Sequence, residues 1–155
     1  MFLKGFGLRQ VGLPDTIDVN TVFRLGSVSK SISSVLAGAL VSKQLINWDD
    51  PIVKYIPQFE LKSKEQAEKL TIRHVLSHTT GLPYHAYTNM IEEHLPFDTL
   101  MAYLKQVDLF GEPGHYYSYQ NVGYSLIGKV VESATHQSFE AALKENVFKP
   151  LNMRN

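Results

Sequence analysis

The chain has 155 residues, 44% of them hydrophobic, which suits one globular domain of ordinary size. Its 15 Lys and Arg balance 15 Asp and Glu, so the basic footprint of a nucleic-acid binder is missing. Cysteine is absent, which excludes disulfides and thiolate metal sites, and the longest strongly apolar stretch, Val35 to Val41, is too short to cross a bilayer.

In chain order, "MFLKGFGLRQVGLP" reads as a glycine-containing strand ending in a turn at Leu13, Pro14 and Asp15. Its first twelve residues lack the charged, apolar and small-residue series of a secretory leader. "TVFRL" is a second short strand candidate. From Ser27 onward, Ile32, Val35, Leu36, Ala39 and Leu40 recur at helical spacing, which predicts a helix over Val28 to Lys43 with one buried face. "NWDDPIVKYIP" is turn-rich, and its Trp48 reads as a core or rim residue. Thr71 suits the N-cap of a helix through "IRHVLSH", with Gly81 as its stop and Pro83 beyond. Residues 82–96 read mostly as loop and "PFDTLMAYLKQ" as a short helix. "GEPGHYYSYQN" is extended or turned, and "VGYSLIGKVVESA" and "SFEAALKENVF" are two further helices. Two short strands and then helices leave a sheet that is either decoration or mostly missing, because a lone hairpin is marginal in water.

"GSVSK" places Ser27 and Lys30 three residues apart at the start of the long helix, on one face. The first turn of a helix disfavours cations, so a lysine there needs a reason. A serine hydroxyl is a weak nucleophile until a base takes its proton. Burial and a helix N-terminus both push a lysine toward that role, and the same backbone N–H groups suit an oxyanion. Alone, the pair is more simply read as a helix cap and a solvated lysine.

The rest of the chain adds collinear segments. "TVFRLGSVSKSISSVLAGALV", "NWDDPIVKYIP", "LTIRHVLSHTTGLP", "EPGHYYSYQNVGYSLIGKVVE" and "VFKPLNM" follow one another in an order that resembles the serine β-lactamase and penicillin-binding superfamily, in its class C-like branch. That branch includes class C β-lactamases, D-Ala-D-Ala carboxypeptidases and β-lactamase-like esterases. The resemblance implies an α/β (α+β) fold of the β-lactamase/transpeptidase type, with a helical subdomain beside part of an antiparallel sheet. It divides residues 1–155 into N-terminal strands and nucleophile helix (1–47), helical subdomain (48–116), and a Y-x-N segment with its following helices (117–155).

Carried over residue by residue, the resemblance makes Ser27 the acylated nucleophile and Lys30 its neighbouring base or proton relay. Tyr119 becomes a general acid/base and Asn121 a contact to Lys30 and the substrate. A tyrosine phenol titrates near ~10, so a basic role for Tyr119 needs a cation beside it. Which of Lys30 and Tyr119 takes the serine proton stays open. Tyr119 also sits among Tyr116, Tyr117 and Tyr124, where packing is the simpler reading, and only the preceding Pro-Gly and the following Asn single it out. Gln120 stands where the family has a small residue. His74, His78, His85 and His94 raise a metal site as an alternative, but there is no H-E-x-x-H, and the resemblance places His78 in a structural turn.

The implied chemistry is acyl transfer through a serine ester, with no cofactor and no metal, on a β-lactam, a D-Ala-D-Ala peptide or a small ester. A homologue that recognises penicillin without turnover is the alternative from another class. The family's third motif, Lys or His followed by Ser/Thr-Gly, is not found before Asn155. The chain therefore reads as the first half of such a domain, with the other half as its expected partner, no nucleic acid and no membrane span. An extracytoplasmic location follows from the resemblance, and a cytoplasmic one if the protein is an esterase.

Overall fold

A computed structural model describes residues 4–153. The chain divides into two compact units, Met1–Lys30 and Ser31–Asn155, each described here by itself.

In the first unit the expected strands do not form among the described residues, residues 1–3 of the first candidate lying outside them, and the antiparallel-sheet expectation is not confirmed. Residues 4–25 hold one isolated antiparallel bridge, Leu8 with Thr16, flanked by Ile17 N–H to the Gly7 carbonyl at 3.0 Å and Arg9 N–H to the Asp15 carbonyl at 2.8 Å. A strand is stabilised by packing on a half-buried pleated surface, and none is available here. Val11 is 96% exposed and Val22, in the second candidate strand, is 92% exposed. The loop is instead held by close backbone approach and by Arg9. A Cβ at Gly5 would lie 2.3 Å from the Ile17 carbonyl oxygen, and the Arg9 guanidinium donates to the Thr16 carbonyl and to Asp18. A 3₁₀ turn over Gly26–Val28 follows, with Gly26 at φ +53°. It leads directly into helix α1, Ser29–Ser42.

The second unit is helical. α2 spans Lys64–Lys69, α3 Ile72–Leu76, α4 Thr88–Glu92, α5 Phe97–Tyr103, α6 Asn121–Thr135 and α7 Phe139–Leu143. α6 is its centre and packs on α3, α4, α5 and α7. Its buried residues Val122, Leu126, Ile127, Val130 and Val131 recur at the helical period. α1 adds Leu36, Ala37 and Leu40 to the core. At its end Lys43 Nζ donates to Asn146 Oδ1 at 2.6 Å, in the π-helical turn Lys144–Phe148 that continues α7. The half-buried Trp48 packs beside Gly38 of α1.

Thr71 caps α3 as the sequence predicts, and His74 closes a reciprocal capping box. The stop is not Gly81. α3 ends at Leu76, and His78 takes the left-handed conformation at φ +57°. Gly81 is required for another reason: a Cβ there would lie 2.2 Å from the Gly111 carbonyl oxygen, at φ +84°. Two elements lie where none was expected. Short α4 sits in the 82–96 loop, and α2 is capped by Ser63 over a sequence whose single buried residue is Ala67. No helix among the described residues is long and apolar enough to cross a membrane.

Candidate active site

Ser27 and Lys30 lie within the first unit. Ser27 is in the 3₁₀ turn rather than in α1 itself. Side chains three apart eclipse in that geometry, and Lys30 Nζ accordingly donates to Ser27 Oγ at 3.2 Å. Gly26 supplies the left-handed backbone that starts the turn, and the first turn of α1 contains no acidic residue. Ser27 is exposed and Lys30 is half-buried. A hydroxyl in contact with an amine, at the mouth of a helix, is equipped for nucleophilic attack with local proton transfer.

Tyr119 and Asn121 lie within the second unit, in a segment fixed by two histidines. Ser118 N–H donates to the His78 carbonyl at 2.8 Å and His85 N–H to the Tyr119 carbonyl at 3.1 Å. Buried between them, Gln120 N–H donates to His78 Nδ1 at 3.2 Å. The His78 ring lies under Tyr119, with centroids 4.5 Å apart and planes at 32°, and 5.1 Å from Tyr124. Tyr124 in turn shares a 2.8 Å hydrogen bond with Ser34 of α1. Burial pushes the Tyr124 phenol above its ordinary value, against the opposing Ser34 hydrogen bond. The side chain beside Tyr119 is therefore a neutral hydroxyl. Asn121 opens α6 and is half-buried.

The sequence offered the histidines as metal candidates, and the structure gives three of them local work. His74 Nδ1 accepts the Thr71 N–H, His78 holds the Tyr119 segment, and His85 Nδ1 pairs with Thr88 Oγ1 at 3.2 Å. Among the described residues no group of three His, Cys, Asp or Glu is placed to share an ion. The hold of His78 on Ser118 and Gln120 is the feature that sequence reading missed. Its only trace is the His before Thr-Thr-Gly, because the contact spans 42 residues of chain.

Gln120, the departure noted in the Y-x-N segment, is fully buried, and neither side-chain amide atom has a hydrogen-bond partner among the described residues. It packs on Gly123, where a Cβ would lie 3.3 Å from Gln120 Cβ. Gly123 therefore makes the room that the larger side chain uses.

The profile of the Beta-lactamase family matches residues 1–155. Among curated proteins the chain is 23% identical over 154 residues to Protein flp of Staphylococcus aureus strain MW2, covering 98% of this chain and 31% of that protein. Among solved structures, an octameric penicillin-binding protein homologue from Pyrococcus abyssi superposes with a TM-score of 0.83 at 28% identity, over 97% of this chain and 36% of that one. EstCE1, described as a hydrolase with promiscuous acyltransferase activity, gives 0.78 at 27% identity, over 91% and 40%. The chain thus spans about a third of the length of the curated relative and of the Pyrococcus homologue. Its sequence profile and its fold agree, and the chain belongs to the Beta-lactamase family.

Proposed function

We propose that the protein is a serine hydrolase working through an acyl-enzyme, with Ser27 as nucleophile. The observation that carries this reading is the 3.2 Å hydrogen bond from Lys30 Nζ to Ser27 Oγ at the start of α1. In the proposed step Ser27 Oγ attacks the substrate carbonyl carbon, and its proton passes to Lys30 or Tyr119. The tetrahedral oxyanion is stabilised by backbone N–H groups. Its collapse breaks the bond to the leaving group, which departs with a proton, and leaves an ester on Ser27. Water then attacks that ester and releases the acid. Asn121 orients Lys30 and the substrate, and His78 holds the Tyr119 segment in place. The reaction needs no cofactor. β-Lactams, D-Ala-D-Ala peptides and small esters are the candidate substrates, and the likeness to EstCE1, a hydrolase with acyltransferase activity, supports acyl transfer. In this reading residues 1–47, 48–116 and 117–155 are the strand-and-nucleophile, helical and Y-x-N parts of a domain completed by a further segment.

The test is labelling with a fluorophosphonate and with fluorescent penicillin. Adduct on Ser27 that disappears in Ser27→Ala supports the assignment; adduct on Ser29 or Ser118, or labelling that survives Ser27→Ala, contradicts it. A second reading, recognition without turnover, is favoured by the likeness to a penicillin-binding protein homologue. A burst of chromogenic ester release with no steady state selects it.

A further inference from the structure

Helix α2 reaches the core through one side chain, and that residue is an alanine, Ala67. In the segment before it, Phe59 and Leu61 are buried while Glu60 and Lys62 are exposed, the alternation of an extended chain. Ala67 is too short to fill the space between α2, this segment and the 3₁₀ turns Ile52–Lys54 and Leu104–Gln106. An open cavity of about 630 Å³ remains there, within the second unit and lined by none of the residues of the acyl-transfer reading. Its volume suits a small organic molecule.

The floor is apolar and the rim is charged. Val53, Phe59, Leu61 and Ala67 make the floor, and Glu60, Lys62, Lys64, Glu68 and Lys105 stand around it. Lys62 is committed to Asp108, which lies outside the lining. The other four form two loose pairs, Lys105 Nζ with Glu60 at 3.6 Å and Lys64 Nζ with Glu68 at 3.9 Å. Both distances are longer than a hydrogen bond. All four side chains are more than half exposed, where such a pair contributes little. Glu60 and Lys105 also line a second cavity, of about 370 Å³. Their pair therefore stands between two open spaces and has room to part.

A ligand that enters this pair must leave neither charge alone, because an ion stripped of its partner beside an apolar floor is costly. A simple anion would take Lys105 from Glu60, and a simple cation would take Glu60 from Lys105. A zwitterion satisfies both. We propose that the cavity binds an apolar α-amino acid. Its carboxylate accepts from Lys105 Nζ, its ammonium donates to Glu60, and its side chain lies on Val53, Phe59, Leu61 and Ala67. This binding site stands independently of the acyl-transfer reading.

The test uses the full chain with labelled methyl groups and four ligands of related shape. These are L-leucine, 4-methylpentanoate without the ammonium, 3-methylbutan-1-amine without the carboxylate, and glycine without the side chain. Each is titrated by NMR, reading the methyl resonances of Val53, Leu61 and Ala67. Leucine binds about tenfold tighter than glycine, as half-burial of its side chain predicts. It binds about threefold or more tighter than either single-charge analogue. Lys105→Gln removes the advantage of leucine over the amine, and Glu60→Gln removes its advantage over the acid. Both side chains are exposed, so the fold is kept, and circular dichroism checks that it is. Equal affinity for leucine and glycine overturns the proposal, as does either single-charge analogue binding as tightly as leucine. Leucine affinity unchanged in Lys105→Gln or in Glu60→Gln also overturns it. So does the absence of shifts at the three methyl positions, or a response centred on Tyr119 instead.

Discussion

The two units use apolar residues in opposite ways. In the second, Leu36, Ile52, Leu70, Leu104 and Leu126 are completely buried, whereas in the first Phe6, Val11, Val22 and Phe23 are all at least 63% exposed. The second is stabilised by burial, which contributes about 1.5–3 kcal/mol for each large apolar side chain. The first is ordered by glycine-permitted backbone contact and an arginine, and it carries the candidate nucleophile. Side-chain burial therefore has to be tested in one unit, and local backbone geometry in the other.

The largest contrast comes from truncating side chains. Leu126→Ala, in the middle of α6, costs about 2–5 kcal/mol in urea unfolding, while Val11→Ala in the first unit stays within about 0.5 kcal/mol. Comparable losses at the two positions break the comparison. Glycine substitutions sharpen it. Gly81→Ala meets a backbone oxygen at 2.2 Å and costs more than about 2 kcal/mol. Gly26 is also at positive φ, but a Cβ there has nothing within 4 Å, so Gly26→Ala carries only the conformational term of about 1 kcal/mol.

A smaller effect of opposite sign belongs to Gln120. Replacing a buried amide that lacks partners with an apolar side chain of similar shape removes a desolvation cost. Gln120→Met raises stability by roughly 1 kcal/mol, read as a higher urea midpoint; a lower midpoint contradicts the unpartnered-amide account.

The smallest effect is a pH dependence confined to the second unit. Burial holds the His74 imidazole below its ordinary value, with Asp49 opposing. The unfolded chain therefore binds more protons than the folded one below about pH 6.5. This contribution is full above that pH and is lost as pH falls through the lowered folded value. Protonation also removes the Nδ1 acceptor of the Thr71 N–H. The urea midpoint accordingly drops between pH 7.5 and 5, and His74→Gln, which keeps a capping-box side chain, flattens the drop. A His74→Gln profile parallel to that of the unmutated chain contradicts this role.

What the sequence made legible follows the same division. Periodicity located α1 and α6; the apolar face of α6 is buried, whereas in α1 Leu36, Ala37 and Leu40 are buried but Val35 of the expected face is 55% exposed. The i, i+3 spacing anticipated the Lys30–Ser27 contact because that contact is local. Thr71 was readable as a cap for the same reason. The glycine-containing segment ending at Pro14 and "TVFRL" read as strands, but a strand needs a surface to pack on, and Val11 and Val22 are almost fully exposed. Gly81 resembled a helix stop because φ +84° suits either role; only the Gly111 carbonyl across from it shows why glycine is needed. The His78 clamp joins residues distant in sequence, and α2 is held by its cap and surface pairs rather than by an apolar stripe.

The central claim is that Ser27 is acylated with help from Lys30 and Tyr119. It is tested most directly by the second-order rate of Ser27 acylation in the unmutated chain, Lys30→Ala and Tyr119→Phe across pH, with the adduct mapped by mass spectrometry. The account predicts that each substitution slows acylation by about 10²–10⁴-fold, the range for a proton-transfer group, while the urea midpoint changes little. Acylation of Ser27 at an unchanged rate in Lys30→Ala contradicts the claim outright. An unchanged rate in Tyr119→Phe at every pH overturns the Y-x-N assignment and turns the test to Tyr117.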